Sequence, residues 1–394
     1  MTHLTPWQRL KYAGLMQRKY DNCTVNVWMS PGHYYFDKPI AINEVTKALD
    51  SVFQHPYFRD NLNDVDIVFQ YSLVQALGTV GTRTVAFVKS SDLFGKSNIL
   101  FINLNVARKA AGKPTQQYAQ IFEQMYKKGS VGEEFDLAML GKELENTIAH
   151  EMTHIIQEHI TQAGRIKNQR IDTATKIFRN IGSLSEKSTA VSLDKLTLDK
   201  AINLLFVKIY KTFTHTDLYI YREGVASFMG DYASGRYGTD YKGFMAQSKE
   251  AAKETKSWLS TIEQHFKSVN GLVVESITAK KPLKRDSINE KADSINKTAL
   301  SIKRFYELGY AIPAILFRYG GFTIEQIGAM GDHKLINEYT DTCLKNNLEI
   351  LYTNRPGVHA IVNISDFRAS LHKLRKEILQ NIKELEASQA GKWH

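Results

Sequence analysis

The segment Thr147-Ile148-Ala149-His150-Glu151-Met152-Thr153-His154-Ile155-Ile156 combines a helical pattern with two histidines and a glutamate. Its apolar residues recur at spacings of three and four, which predicts an amphipathic helix over Leu137–Ile160. Residues four apart lie on one face of a helix, so His150 and His154 can direct a ring nitrogen at the same metal ion. Glu151 lies one step round the helix, where its carboxylate can take a proton from a water at the metal's open position.

A third protein ligand is needed if a fourth position is to stay open for water. The best candidate is Glu223, on a hydrophobic helix predicted over residues 218–232. Gly224 follows it at once, which would let another backbone approach closely there. Glu223 stands 69 positions after His154, and the polar stretch 162–200 could form the excursion between them. The alternative interpretation is that these acids and histidines are ordinary residues on the faces of two helices.

The composition is that of a folded protein without covalent cross-links. The chain has 394 residues, of which 43% are hydrophobic and 23% are charged. That is enough to bury a large core in two subdomains. The two cysteines, Cys23 and Cys343, are far apart and neither has a partner at a metal-ligand spacing. Neither a thiolate metal site nor a disulfide framework is therefore indicated, and a reducing compartment is favoured.

Charge and the N-terminal residues bear on partners and location. A net charge of +10 can attract acidic partners, but no nucleic-acid fold signature accompanies it, so nucleic-acid binding is not expected. Residues 1–9 lack the basic start and apolar stretch of a signal peptide. No apolar run approaches the roughly 20 residues that span a bilayer. The sequence predicts a cytoplasmic protein without a membrane span; signal-independent export, as for a bacterial effector, and the oligomeric state stay open.

The predicted fold class is α+β, with two subdomains. Residues 1–140 should form an α/β part with a small mixed sheet and a helix over 40–53. Its strands are expected at residues 24–30, 65–71, 84–88 and 98–104, with a further partner at 34–36. Residues 141–394 should be mostly helical and carry the metal ligands.

Three later segments complete this prediction. A buried helix is expected over residues 201–213, and the charged segment 280–303 is expected to be a solvated loop and helix face. The last helix, 366–387, places six apolar residues on one stripe. Such a stripe usually packs on its own core, and a dimer seam is the alternative.

Together these elements resemble the gluzincin group of zinc metallopeptidases, in which a glutamate on a second helix completes an H-E-x-x-H site. His150 to His154 match the first signature, and Glu223-Gly224-Val225-Ala226 looks like the E-G-x-A element. Tyr306-Glu307-Leu308-Gly309 is similar to the Y-x-x-G helix of aminopeptidase-like and peptidase MA-like members. The resemblance covers three short elements between residues 147 and 327. The gap before Glu223 is longer than in the common members, and no G-x-M-E-N element precedes His150.

The resemblance implies a zincin-like fold, with the small sheet followed by the active-site helix and a mostly helical C-terminal half. It implies one Zn²⁺ per chain on His150, His154 and Glu223, with Glu151 as general base. In the aminopeptidase branch the tyrosine of the third element donates to the oxyanion, which assigns that role to Tyr306. Tyr310 is the fallback, and the alternative for Tyr306 is a tyrosine of the helical core. A strand before the active-site helix usually lies antiparallel to the substrate. Residues 99–104 are the candidate edge strand, to which the substrate backbone would add.

The activity so implied is hydrolysis of peptide bonds in a peptide or protein substrate. Endopeptidase action is favoured over exopeptidase action, since no device that binds a chain terminus is visible. Asp231 is a plausible acid to orient a metal-bound histidine. Two other classes stay open: a zincin-fold protein that binds zinc without turnover, and a basic helical scaffold protein in which H-E-x-x-H arose by chance. A hydrolase that acts on another kind of bond is compatible with the same residues.

Overall fold

A computed structural model describes residues 12–29, 45–70, 86–88, 99–103, 137–160, 216–279 and 302–390, with the single positions 43, 202, 203, 206, 209, 287 and 290. These residues form an α+β protein with a small mixed sheet toward the N-terminus, as predicted. They pack as two compact units. The sheet unit takes its residues from Met1–Gly164, Val225–Tyr241 and Thr323–Ala329. The helical unit takes them from Arg165–Gly224, Lys242–Phe322 and Met330–His394.

Seven strands and eight helices are described. The strands are β1 (Ala13–Tyr20), β2 (Cys23–Met29), β3 (Val65–Gln70), β4 (Ala86–Val88), β5 (Ile99–Asn103), β6 (Tyr352–Thr353) and β7 (Val362–Asn363). The helices are α1 (Pro56–Asn61), α2 (Leu137–Ile160), α3 (Thr216–Ala233), α4 (Arg236–Thr278), α5 (Ile302–Tyr319), α6 (Ile324–Ala329), α7 (Asp332–Lys345) and α8 (Ile364–Ala390). Residues 45–54 are also helical, which confirms most of the helix predicted over 40–53.

The sheet unit contains a five-stranded sheet in the order β1-β2-β3-β5-β4. The neighbours β2, β3 and β5 run parallel, whereas β1 and β4 run antiparallel to the strands they pair with. Apolar residues dominate the inner strands because both faces are covered: Val65, Ile67, Val68 and Phe69 are fully buried. The four strands predicted at residues 24–30, 65–71, 84–88 and 98–104 are thereby confirmed as β2 to β5.

Strand β1 was not predicted from the sequence. It joins β2 through the two-residue turn Asp21-Asn22, and Tyr20 pairs with Cys23. Asp21 takes a left-handed backbone with φ of 43°, which a short polar side chain tolerates. Of its eight residues only Leu15 is buried, so β1 lacks the apolar alternation that identifies a strand. The Asp-Asn pair was the available signal.

The candidate substrate strand, residues 99–104, is wrong as an edge strand. Strand β5 pairs with β3 on one side and with β4 on the other, so neither of its edges is open along the paired residues. Within the described part of the sheet, the edges belong to β1 and β4. Strand β4 is antiparallel to its neighbour and lies next to α2, the helix that carries the two histidines.

Helix α2 is anchored in the sheet unit by one apolar face. Leu144, Ile148, Met152, Ile155 and Ile156 are all at most 1% exposed. Spacings of three, four and one keep these side chains on the side of the helix that packs inward. The predicted helix is confirmed, and its histidines project from a backbone that is fixed by burial.

The helical unit contains α5, α7, α8 and all of α4 after Tyr241; α4 is 43 residues long. Helix α8 confirms the predicted last helix. Its stripe is buried against the rest of the same unit, at most 8% exposed at every position, so it belongs to the core rather than to a dimer seam. The stripe consists of Phe367, Leu371, Leu374, Ile378, Ile382 and Leu385.

Some predicted segments lie outside the described residues. These are the partner strand at 34–36, the polar excursion 162–200 and most of the charged segment 280–303. In the helix predicted over 201–213, the four described positions are helical. Among the helices that the structure describes, none combines the length and the apolar character that crossing a membrane requires.

Candidate metal centre

His150 and His154 lie one turn apart on α2, and their Nε2 atoms point toward each other. The two Nε2 atoms are 3.2 Å apart, and the ring planes are nearly perpendicular, at 88°. Two imidazole nitrogens on one tetrahedral metal stand about 3.3 Å apart, because each bond measures about 2.0–2.1 Å. The observed spacing therefore suits a shared ion. His154 is 5% exposed, and His150 is half-buried.

Glu223 completes the cluster, as the sequence predicts. One ligand atom from each of His150, His154 and Glu223 can be chosen so that all three lie within 4.8 Å of one another. Glu223 is only 6% exposed and stands on α3, far from the histidines in the chain. A buried carboxylate beside two imidazole nitrogens is a group that could hold a metal ion. Since imidazole and carboxylate suit several divalent metals, these ligands do not select one ion.

Glu151 follows His150 on α2 and is 8% exposed. It is not one of the three clustered residues. A carboxylate beside the ligands, but outside their set, is what a general base requires. The structure therefore leaves Glu151 available for the role that the sequence predicts.

The backbones of α3 and α5 touch directly beside Glu223. A Cβ on Gly224 would lie 2.6 Å from Gly309 Cα, and a Cβ on Gly309 would lie 2.9 Å from Gly224 Cα. Both distances are shorter than real Cβ contacts, so each position accepts only glycine without a shift. The prediction that another backbone approaches Gly224 is confirmed.

Pro313 explains part of this contact. It stands inside α5 and has no N–H, so the carbonyl of Gly309, four residues earlier, has no helical donor. That carbonyl faces the place where a Gly224 side chain would stand. The glycines of the two elements that resemble E-G-x-A and Y-x-x-G thus pack on each other.

Tyr306 lies one turn before Gly309 on α5, so it shares a helix with the residue that touches Gly224. It is half-buried. Tyr310 is 4% exposed, and its ring lies 4.8 Å from that of Phe244. This is the environment of a core tyrosine, so Tyr306 is the better candidate for a group that meets a substrate.

A polar contact holds α3 against α2 within the sheet unit. Asn146 Nδ2 donates a hydrogen bond of 2.7 Å to Asp231 Oδ1, and Asp231 is buried. A Cβ on Gly230 would lie 2.8 Å from the Asn146 carbonyl oxygen, so the helices are also in backbone contact there. Asn146 is one turn before His150, and this contact therefore fixes the histidine helix against the helix that carries Glu223. The role of Asp231 in orienting a histidine ring stays a prediction.

His154 has a hydrogen-bond partner that the sequence analysis missed. Its Nδ1 lies 3.1 Å from Gln157 Oε1, and both side chains are buried. Gln157 is three residues further along α2, on the same face of the helix. The H-x-x-Q spacing was the only signal, and a single glutamine at that spacing is common in helices.

A positively charged side chain lies close to Glu223. Arg222 Nε lies 3.9 Å from Glu223 Oε1, and the Arg222 side chain is 21% exposed. Two residues earlier on α3, burial raises the pKa of Tyr221 well above its usual value, and the charge of Asp332 adds to the effect. Tyr221 therefore stays a neutral phenol at physiological pH.

Comparisons with protein-family models, with curated proteins and with solved structures found no match for this chain. The metal centre is therefore defined by its own residues and their geometry.

Proposed function

We propose that this chain is a zinc-dependent peptidase of the gluzincin type. The observation that supports it most is the convergence of His150, His154 and Glu223, with ligand atoms within 4.8 Å of one another. Glu223 lies on a second helix, 69 residues after His154, and both of these residues are buried. Glu151 stands next to the first ligand, where hydrolysis requires a base.

The ligand types alone suit several divalent metals, and zinc is proposed from the number of protein ligands. Two histidines and one glutamate with an open fourth position form a known catalytic zinc set, whereas structural zinc sites are usually closed by four protein ligands. The single carboxylate would leave a net charge of +1 on the bound ion. That residual charge is what a Lewis acid needs to attract a carbonyl oxygen.

Glu151 and Tyr306 carry out the other steps of peptide-bond hydrolysis in this proposal. Bound zinc would polarise the scissile carbonyl and acidify a water. Glu151 takes one proton from the attacking water, the C–N bond breaks, and Glu151 delivers that proton to the leaving amine. Tyr306 donates a hydrogen bond to the oxyanion while the carbonyl carbon is tetrahedral.

Strand β4 replaces β5 as the surface proposed to bind the substrate backbone. Among the described strands it is the edge on the side of α2, and an extended peptide could add to it as a further strand. Binding through main-chain hydrogen bonds tolerates many side chains and needs no free terminus. An endopeptidase acting on peptides or proteins fits this arrangement.

Zinc content per chain tests the proposal, measured by elemental analysis on matched preparations. Wild type should carry about one zinc, and Glu223→Ala should lose most of it. Glu151→Gln should retain the metal and lose cleavage of a peptide library. Glu377→Ala, which removes an exposed carboxylate on α8, is the control and should match wild type in both measurements.

Each rival predicts a different result. Stoichiometric zinc without cleavage of any peptide would identify a zinc-binding protein without turnover. A folded wild-type protein without zinc would favour the scaffold protein with a chance H-E-x-x-H. Zinc that survives Glu223→Ala would leave the peptidase proposal standing and show that the third ligand is wrong.

A further inference from the structure

Gln157 makes a buried contact with a proposed metal ligand through a neutral amide. Its Oε1 lies 3.1 Å from His154 Nδ1, with Gln157 6% exposed and His154 5% exposed. A histidine that binds a metal through one nitrogen commonly donates the N–H of the other nitrogen to a carboxylate, a backbone carbonyl or water. Here the acceptor is a side-chain amide on the same helix.

The contact selects one tautomer of His154. An amide oxygen only accepts hydrogen bonds, so the Nδ1 that faces it carries the proton. The neutral ring then has its lone pair on Nε2. That Nε2 points at Nε2 of His150, 3.2 Å away, so a hydrogen or a cation must lie between the two atoms. Gln157 therefore leaves His154 ready to bind a metal at the nitrogen that faces the cluster.

We propose that Gln157 is a positioning residue of the metal centre, which fixes the tautomer and ring orientation of His154. The proposal rests on the metal-binding part of the proposed function and not on peptide cleavage. Because the amide carries no charge, it orients the ring without compensating the charge of the ion. A carboxylate in its place would bring the site with a divalent metal from a net charge of +1 to zero, and would therefore bind the metal more tightly.

A merely structural role for Gln157 predicts something different. A buried hydrogen bond within α2 would stabilise the fold equally with and without metal. Its loss would lower the stability of the metal-free chain and leave the dissociation constant for metal unchanged. Metal affinity and the stability of the metal-free protein therefore separate the two roles.

The test is the dissociation constant for Zn²⁺ in the full chain, measured by competition with a chromophoric chelator. Gln157→Met keeps an unbranched side chain but removes the amide acceptor, and should weaken binding about 10- to 100-fold. Gln157→Glu keeps an acceptor and should bind as tightly as wild type or more tightly. Gln264→Met, at an exposed position of α4, should leave the affinity unchanged.

Failure of this proposal is distinguishable from failure of the zinc site itself. Equal affinity in wild type and Gln157→Met would overturn the role of Gln157 and leave the site intact, whereas a wild type that binds no zinc would overturn both. If Gln157→Met does not fold, the tautomer of His154 can be measured by NMR in metal-free wild type labelled with ¹⁵N-histidine. The spectrum of Gln157→Glu then identifies the His154 signals by their change. A proton on Nδ1 of His154 supports the proposal, and a proton on Nε2 alone overturns it.

Discussion

Replacing Gly224 with alanine should test the helix contact beside the metal centre. The added Cβ would lie 2.6 Å from Gly309 Cα, in a place where only backbone atoms can yield. Carbon atoms prefer separations of about 3.5 Å or more, and the carbonyl carbon and oxygen of Gly309 lie closer still to the added Cβ. Helices α3 and α5 must therefore move apart by at least about 0.9 Å at this point. The variant therefore changes the spacing of two helices rather than the rotamer of a side chain.

The change in the free energy of unfolding has two opposed parts. Overpacking of a buried contact with a backbone shift costs about 3 kcal/mol, at the upper end of its usual range. Alanine in place of glycine inside a helix returns about 1 kcal/mol. The net loss should be about 2 kcal/mol. Glu223, the neighbouring residue, would move by more than the roughly 0.2 Å that metal–ligand distances tolerate, so zinc affinity should fall about tenfold or more.

Two measurements on the purified chain examine this prediction: the urea midpoint of the metal-free protein and the zinc dissociation constant. Gly271→Ala is the matched control, because Gly271 lies in α4 with nothing within 4 Å of the added atom. It should raise the stability by about 1 kcal/mol and leave zinc affinity unchanged. A Gly224→Ala protein with the stability and zinc affinity of the control would refute the close approach of α3 and α5.

Two further predictions concern residues away from the metal. Cys23 and Cys343 are fully buried, and burial raises the pKa of the Cys343 thiol to about 11. Neither thiol should therefore react with a thiol reagent until the protein is unfolded. Rapid modification of either cysteine in the native protein would contradict this prediction. The hydrogen bond from Lys267 lowers the pKa of Glu263 in the folded protein. The stability that this carboxylate contributes is therefore fully present above its unfolded pKa of about 4.3. It is lost as the pH falls through the lower pKa of the folded state. Glu263→Gln should therefore flatten the fall of the urea midpoint below about pH 4.3, and an unchanged acid limb would show that the ion pair contributes nothing.

The histidine pair could be predicted from sequence because it depends only on local geometry. A spacing of four on a periodic helix fixes the direction of both rings, and His150 and His154 meet as expected. The third ligand, Glu223, was harder to predict, because the sequence shows a suitable glutamate but does not show that its helix packs beside α2. Its glycine neighbour indicated a close backbone contact, and the identity of the partner, Gly309, came only from the structure.

Features that depend on which strands or side chains become neighbours in the fold were harder to predict. The strand at 99–104 has the composition of a buried strand, yet composition does not state which strand lies beside it. The order of the described strands shows that β4, and not β5, is the edge on the side of α2. Gln157 was missed for another reason, since one glutamine carries no periodic signal and its meaning depends on the ring nitrogen that it faces.

The long separation between the second histidine and Glu223 gives a bound ion the role of a cross-link. An ion held by both would close a ring of about 70 residues, as a disulfide would. The chain-entropy model for such a ring assigns about 4 kcal/mol to the restriction of the unfolded chain. If the metal binds only the folded chain, zinc should protect the whole protein against denaturation, and a chelator should remove that protection. A protease cut within residues 161–215 would then leave two fragments joined through the metal as well as through their packing.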